Sequence, residues 1–128
     1  MEINTYDFDG VVSTGKFKLT PGKDVIITGR TYEEAPYVFG KLRELGIQDV
    51  AVYFNTAPLS HRGDHNERAR RISGMHKVRI IKGFMENHVV THFEDDPVQI
   101  QLINTYCTDA TVVLVPNNSS YYGEPHNG

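Results

Sequence analysis

The chain has 128 residues, a mass of 14.5 kDa and a formal net charge of −3, and 39% of its residues are hydrophobic. This length supports one domain around a single core and excludes two, and the hydrophobic fraction excludes a disordered chain. The sequence has no apolar run that approaches the roughly 18 residues of a membrane span, and its start does not have the pattern of a secretory signal. Its one cysteine, Cys107, excludes an internal disulfide and a cysteine-based structural zinc site. We therefore expect a soluble cytoplasmic domain without a membrane partner.

Five short segments are predicted to be β-strands. The first covers residues 3–6, and it is followed by apolar runs rich in β-branched side chains at 24–28, 49–54, 88–93 and 111–115. Continuous apolar runs of this length are typical of strands that are covered on both faces, as in a parallel sheet.

A helix is predicted between the second and third apolar segments. Thr31 and Glu34 have the spacing of a capping box, which places the helix start there. A start nearer Pro36 is the alternative, because proline is tolerated only in the first turn. Gly46 is a suitable C-terminal cap. The apolar residues that recur at helical spacing are Val38, Leu42 and Leu45.

Two further helices are predicted on either side of the fourth strand. One covers roughly residues 64–86, with a break expected around Ser73-Gly74. The other begins at Asp96-Pro97, where an N-cap residue precedes a proline in the first helical position.

Strands and helices therefore alternate over residues 1–116. This order predicts an α/β fold, a three-layer doubly wound sandwich around a central, mainly parallel five-stranded sheet. The polar segment 117–128 is expected to be a flexible tail.

Three polar clusters follow predicted strands at their carboxyl ends, where doubly wound folds bind their ligands. They are Asp7-Phe8-Asp9-Gly10, Thr28-Gly29-Arg30 and Glu94-Asp95-Asp96, and Lys77 lies on the helix that leads to the last of them. Carboxylates gathered in this way repel one another unless a hard cation binds, and Mg²⁺ is the cation that such oxygen ligands favour. An ammonium and a hydroxyl are suitable partners for phosphate oxygens. The combination indicates phosphoryl transfer.

With these segments in this order, the sequence resembles the haloacid dehalogenase (HAD) superfamily of phosphohydrolases over about residues 3–116. Asp7-Phe8-Asp9-Gly10-Val11 is similar to motif I and Thr28 in Thr-Gly-Arg to motif II. Lys77 fits motif III, and Glu94-Asp95-Asp96-Pro97 fits motif IV. From Asp7 to Thr28, Lys77 and Asp95 the separations are 21, 49 and 18 residues. The resemblance implies a HAD-like, Rossmann-like catalytic domain.

The resemblance also implies a role for each of four side chains. Asp7 would be the nucleophile that forms an aspartyl-phosphate intermediate. Asp9 would protonate the leaving oxygen and then activate water, and because the family's dehalogenases and phosphonatases lack this second acid, it favours a phosphatase. Thr28 would donate a hydrogen bond to a phosphoryl oxygen. Lys77 would neutralise charge on the nucleophile and the phosphate, with Lys82 as the alternative lysine.

By the same resemblance, Mg²⁺ would be held by the carboxylate of Asp7, the backbone carbonyl of Asp9 and the carboxylate of Asp95. Asp96 would support one of these ligands or reach the metal through a water molecule.

HAD enzymes select substrates with cap domains inserted after motif I or motif II. The 18 residues 10–27 are too few for a folded cap, and the 46 residues 30–75 are nearly used up by a helix, a strand and the start of the next helix. The enzyme is therefore expected to be capless. An open site suits large substrates such as nucleic-acid ends or phosphoproteins. The alternative is a small phosphorylated molecule whose site is covered by an oligomer partner.

Residues 61–82 contain seven basic and two acidic residues, a net charge of +5, whereas the rest of the chain has six basic and fourteen acidic residues, or −8. Such a split marks either a surface that faces a polyanion or a solvated helix. Together with Thr28-Gly29-Arg30, residues 60–64 resemble the 3′-phosphatase domain of phage polynucleotide kinases. A phosphorylated nucleotide or polynucleotide end is thus the first substrate class to test. The residues expected to contact it are Gly29, Arg30, Arg62, Arg68 and Arg71.

Two other functions are compatible with the sequence. One is a small-molecule phosphatase, such as a nucleotidase or a sugar phosphatase, that acts as an oligomer. The other is a non-catalytic HAD-like domain that binds a partner. The intact set of motif residues argues against a non-catalytic domain, because such domains usually lose one member.

Overall fold

The computed structural model describes residues 1–61 and 66–116, and within these ranges the chain forms five strands and three α-helices. The strands are β1 (Glu2–Tyr6), β2 (Asp24–Thr31), β3 (Val52–Asn55), β4 (Val89–Glu94) and β5 (Thr111–Leu114). The helices are α1 (Ala35–Glu44), α2 (Glu67–Met85) and α3 (Pro97–Tyr106), and 3₁₀ turns occur at Val12–Thr14, Tyr32–Glu34 and Leu59–His61.

The strands form one parallel sheet in the order β3-β2-β1-β4-β5. Tyr6 of β1 is level with Ile26 of β2 on one side and with Phe93 of β4 on the other. The chain winds outward from β1 to β3 and then crosses over to β4, so the strand order reverses between β1 and β4. The predicted fold class is confirmed, and no cap domain is present in the described residues.

The helices cover both faces of the sheet. On one face α1 packs on an apolar cluster, and on the other face α2 and α3 pack on a second one, because successive side chains of a strand point to opposite faces. The first cluster includes Val38 and Leu42 of α1 with Tyr6, Phe8, Ile26 and Phe54. The second includes Val78 and Ile81 of α2 and Ile103 of α3 with Ile3, Val25 and Val90.

The start of α1 combines the two alternatives that the sequence left open. The capping box of Thr31 and Glu34 is present, with the Thr31 main-chain N–H donating to Glu34 Oε2 over 2.9 Å. It caps the 3₁₀ turn Tyr32–Glu34, and α1 itself begins at Ala35. Pro36 therefore lies in the first turn, where its missing N–H costs no helical hydrogen bond.

The predicted break in the second helix is wrong, because α2 runs unbroken from Glu67 to Met85. Gly74 lies where α2 packs closely against α3. A Cβ atom at this position would be 2.7 Å from Leu102 Cδ1 and 3.4 Å from Gln99 Cα, both on α3. The glycine thus serves close helix packing and does not interrupt the helix.

None of the helices in residues 1–61 and 66–116 combines the length and hydrophobicity that a membrane-spanning helix requires. The predicted flexible tail, 117–128, lies outside the described residues.

Candidate active site

Asp7 and Asp95 meet at the reversal point of the sheet. Asp7 directly follows β1, and its main-chain N–H donates to the carbonyl oxygen of Phe93 over 2.9 Å. Asp95 directly follows β4. Because the two strands are parallel neighbours, their carboxyl ends lie at the same edge, which is where doubly wound folds form a ligand crevice.

The side chain of Lys77 reaches this edge from the face of the sheet that α2 covers. Its Nζ donates to Asp7 Oδ1 over 2.7 Å and to Glu94 Oε1 over 2.9 Å, and all three side chains are fully buried. Lys82, the alternative lysine, instead lies over the ring of Tyr106 at 5.8 Å from its centroid. The geometry therefore places Lys77 beside the predicted nucleophile.

The pKa values of the two carboxyl groups that share Lys77 are shifted in opposite directions. Burial, and after it the charge of Glu94, raises the pKa of Asp7 well above its usual value despite Lys77. Burial alone would raise the pKa of Glu94 as well, but Lys77 and the hydrogen bond from His92 lower it to about 2. Burial would lower the pKa of Lys77, and the two carboxylates raise it. The protein therefore stabilises the charged form of Asp7 less than that of Glu94, and a proton or a cation bound at Asp7 would offset this.

A divalent cation fits this site. Carboxylate oxygens of Asp7, Glu94 and Asp95 lie within 4.8 Å of one another, and all three residues are buried. Among the described residues, no group donates a hydrogen bond to the buried Asp7 Oδ2. Glu94 is already engaged, since Oε1 accepts from Lys77 and His92 and Oε2 accepts from the main-chain N–H of Asp96 over 3.4 Å. An all-oxygen donor set suits Mg²⁺, with Asp7 and Asp95 as the side chains that fit it best.

The two acids at the end of β4 are therefore expected to differ in metal binding. Asp95→Asn should weaken Mg²⁺ binding at least about tenfold more than Glu94→Gln does, because Glu94 is occupied by Lys77 and His92. Isothermal titration of each variant with MgCl₂ measures the difference, with Asp109→Asn, an exposed position in the turn before β5, as the control. Equal losses in the two variants would show that Glu94 is itself a ligand.

The Asp9 carboxylate is held by Arg30. Arg30 Nε donates to Asp9 Oδ2 and Nη2 donates to Oδ1, each over 2.8 Å. Nη1 donates to Glu34 Oε1 over 2.8 Å, and the guanidinium lies over the ring of Tyr37 at 4.5 Å. This two-point contact fixes the orientation of the predicted acid. It also means that Arg30 contacts protein carboxylates here, so its role toward substrate stays a prediction.

Thr28 and Gly29 lie at the same edge, on β2. The strand extends to Thr31, beyond its predicted end, and its register with β3 shifts after Ile27. At this register shift, Asn55 Nδ2 donates a hydrogen bond to the carbonyl oxygen of Gly29 over 3.3 Å. The buried Thr28 accepts a hydrogen bond on Oγ1 from the main-chain N–H of Arg30 over 3.0 Å. Its hydroxyl hydrogen remains the group with which it would bind a phosphoryl oxygen.

Asp96 has a structural role in the described residues. It is the N-cap of α3, with Oδ1 accepting from the main-chain N–H of Val98 over 3.0 Å. Arg70 Nη2 donates to the same oxygen over 2.6 Å, and Gln99 Nε2 donates to Oδ2 over 2.8 Å. Asp96 thereby joins the start of α2 to the start of α3. It is not part of the acidic cluster that could hold a metal directly, so its predicted support of a ligand, or contact with Mg²⁺ through a water molecule, stays a prediction.

The basic segment supplies fewer surface charges than its composition suggested. Arg70 is engaged by Asp96, and Lys77 is buried in the site. Arg68 and Arg71 are exposed and, with Arg79 and Met75 among others, line a groove on α2. Arg71 is 3.4 Å from Glu67. Arg62 lies outside the described residues. The structure therefore brings Arg68 and Arg71 to one surface but joins neither of them to Asp7.

His92 and the pairing role of Glu94 were missed by the sequence analysis. Val90, His92 and Glu94 alternate along β4 and are all buried. The sequence did contain a signal. His92 and Glu94 stand at the alternate positions that follow Val90 on a buried strand face, and polar residues there need partners inside the protein.

No family model matches this chain, and no curated protein or solved structure matches it significantly.

Proposed function

We propose that the chain is a Mg²⁺-dependent phosphomonoester hydrolase of the HAD type, with Asp7 as the nucleophile. One observation carries the proposal. Asp7 is buried between Lys77, which binds one of its oxygens, and Asp95, while its other oxygen receives no hydrogen bond from the described residues. A purely structural carboxylate would be expected to have both oxygens satisfied.

The first step follows from this arrangement. A carboxylate oxygen of Asp7 attacks phosphorus, and the bond between phosphorus and the ester oxygen breaks, which leaves an aspartyl phosphate and, with the proton that Asp9 gives, an alcohol. Lys77 keeps its positive charge, since its carboxylate partners raise its pKa, and so stabilises the negative charge that develops on the transferred group. Thr28 supplies a hydroxyl donor at the same edge.

Asp9 would handle the protons of both steps. As an acid it gives a proton to the leaving oxygen, and as a base it then takes one from the water that attacks the aspartyl phosphate, which restores Asp7 and releases phosphate. In the structure both Asp9 oxygens accept from Arg30. Each of these oxygens keeps a second lone pair that can take a proton, so Arg30 can hold Asp9 while it acts.

The residues that would hold Mg²⁺ are Asp7 and Asp95, with the main-chain carbonyl of Asp9 as the further ligand that the resemblance implies. When bound, the cation would offset the repulsion between the phosphate and the acidic site.

The test is phosphate release from a panel of substrates in Mg²⁺ and in EDTA. The panel contains p-nitrophenyl phosphate, 5′- and 3′-nucleotides, sugar phosphates and a 3′-phosphorylated oligonucleotide. We expect release that requires Mg²⁺, together with an acid-stable, hydroxylamine-sensitive phosphoprotein in quenched samples. Absence of release from every member, or equal release in EDTA, would contradict the proposal.

For the substrate, we propose a phosphorylated nucleotide or nucleic-acid end, on the strength of the exposed Arg68 and Arg71. Reversing both charges to glutamate should lower kcat/KM for the oligonucleotide at least about tenfold, while p-nitrophenyl phosphate changes less than about twofold. Arg43→Glu, an exposed arginine on α1 at the opposite face of the sheet, is the matched control. Equal effects on both substrates would favour a small phosphorylated molecule.

A further inference from the structure

A chain of buried hydrogen bonds extends from Lys77 into the sheet. Thr5 Oγ1 and His92 Nδ1 are 2.7 Å apart, and His92 Nε2 and Glu94 Oε1 are 3.0 Å apart. The same Glu94 oxygen accepts from Lys77, which donates in turn to Asp7. All five side chains are fully buried. The candidate nucleophile is thus connected to a histidine that is not in contact with it.

The strands place this chain on one face. Thr5 and His92 are register partners on the neighbouring strands β1 and β4. Two residues earlier on each strand, Ile3 and Val90 belong to the apolar cluster beneath α2 and α3. Polar side chains at the next positions of that face are costly unless every hydrogen-bonding group has a partner. A histidine here therefore implies a specific requirement for its ring nitrogens.

The protons of the chain have one consistent arrangement. Glu94 accepts from Lys77 on Oε1 and from the main-chain N–H of Asp96 on Oε2, and in this acceptor role it takes a hydrogen bond from His92 Nε2 as well. Nδ1 is then left as the acceptor for the hydroxyl of Thr5. Burial lowers the pKa of His92, in keeping with a neutral ring. Each member thereby fixes the orientation of the next, from Thr5 to Lys77.

We propose that His92 is a positioning residue, whose Nε2–H holds Glu94 against Lys77 and thereby keeps the ammonium on Asp7 and Glu94 away from the cation. This inference rests on the proposed function for its catalytic consequence. Without His92, Glu94 would lose one of the three hydrogen bonds that the described residues give its carboxylate and would turn toward a cation more readily, since this carboxylate already lies within 4.8 Å of the oxygens of Asp7 and Asp95. His92 would thus determine whether Glu94 pairs with Lys77 or binds the cation.

The variants His92→Leu and His92→Gln test the role, because glutamine keeps an N–H donor and leucine has none. We expect His92→Leu to lower kcat about 10- to 100-fold with KM changed by less than about threefold, and His92→Gln to recover most of the loss. Adding Glu94→Gln should weaken Mg²⁺ binding more in the His92→Leu background than in the wild type. Equal kcat in His92→Leu and wild type would overturn the proposal, as would an effect of Glu94→Gln that is the same in both backgrounds.

Nitrogen-15 NMR of the histidine and lysine side chains gives a readout that does not depend on turnover. We expect a neutral His92 with its proton on Nε2, and a slowly exchanging Lys77 ammonium that persists in His92→Gln and is lost in His92→Leu. Suppose that wild type hydrolyses no ester while the Lys77 signal, and the effect of Glu94→Gln on Mg²⁺ binding, still change with the residue at position 92. In that case the proposed function fails and the positioning role stands. If esters are hydrolysed but Lys77 does not respond, the positioning role fails alone.

Discussion

Asparagine in place of Asp7 is expected to lower phosphate release at least about 10⁴-fold, as for the loss of other catalytic nucleophiles. In EDTA the same variant should melt at a higher temperature than wild type. The amide cannot attack phosphorus, but it has the shape of the carboxylate, and it reduces the carboxyl groups of the buried cluster Asp7, Glu94 and Asp95 from three to two. Its N–H group can also donate a hydrogen bond to a neighbouring carboxylate. We expect a gain of about 1 kcal/mol in the free energy of unfolding.

The gain should depend on pH. Burial, followed by the charge of Glu94, raises the pKa of Asp7 above its ordinary 3.8, so the folded protein binds this proton more tightly than the unfolded chain does. The stabilisation from the protonated carboxyl is complete below about pH 3.8 and is lost as the pH rises through the raised pKa. Asparagine does not titrate. The difference in melting temperature should therefore be small near pH 4 and should increase toward pH 8.

Melting curves in EDTA between pH 4 and pH 8 measure this effect, and Asp109→Asn is the control for removal of an exposed acid. A lower melting temperature than wild type at pH 8 would show that the ion pair with Lys77 outweighs the repulsion among the carboxylates. Substantial residual hydrolysis by Asp7→Asn would instead show that another group is the nucleophile.

Methionine in place of Lys77 is expected to remove activity and to destabilise the fold by about 3–5 kcal/mol, because it leaves buried carboxylates without their shared cation. Methionine has nearly the length of lysine, so packing changes little. A loss of this size is a large part of the stability of a small domain. Thermal unfolding and yield of folded protein measure it.

Lys82→Met on the same helix is the matched control and should change stability by less than about 0.5 kcal/mol, since Lys82 is exposed. The triple variant Asp7→Asn, Lys77→Met, Glu94→Gln should recover much of the lost stability, because it removes the stranded charges as well. A mild effect of Lys77→Met, equal to that of Lys82→Met, would mean that the buried ion pairs contribute little to stability.

The parts of the fold that depend on local signals were predictable from the sequence. Apolar, β-branched runs mark the strands, and Asp96-Pro97 marks the start of α3, because these preferences act within a few residues. The proximity of Asp7 and Asp95 also followed, since parallel neighbouring strands end at one edge. Lys77 was preferred over Lys82 by spacing, and the structure places it at Asp7.

Other features depend on contacts between distant segments, and no local pattern contains them. The break expected at Gly74 is absent because α3, some 25 residues later in the chain, packs against that glycine. The fork of Arg30 on Asp9 and the chain from Thr5 to Glu94 require side chains from different strands to meet. The contact between Asp96 and Arg70 was not predictable for the same reason, since Arg70 lies 26 positions earlier.

The close contact at Gly74 has a consequence for the position of Lys77. Gly74 and Lys77 lie three residues apart on α2, so less than one helical turn separates the point of contact with α3 from the lysine. A helix moves as a stiff rod, and any side chain that pushed α2 away from Leu102 or Gln99 would carry the ammonium with it. The position of Lys77 is thus set partly by the contact between α2 and α3, and apolar substitutions there are expected to shift this lysine without altering the acidic cluster itself.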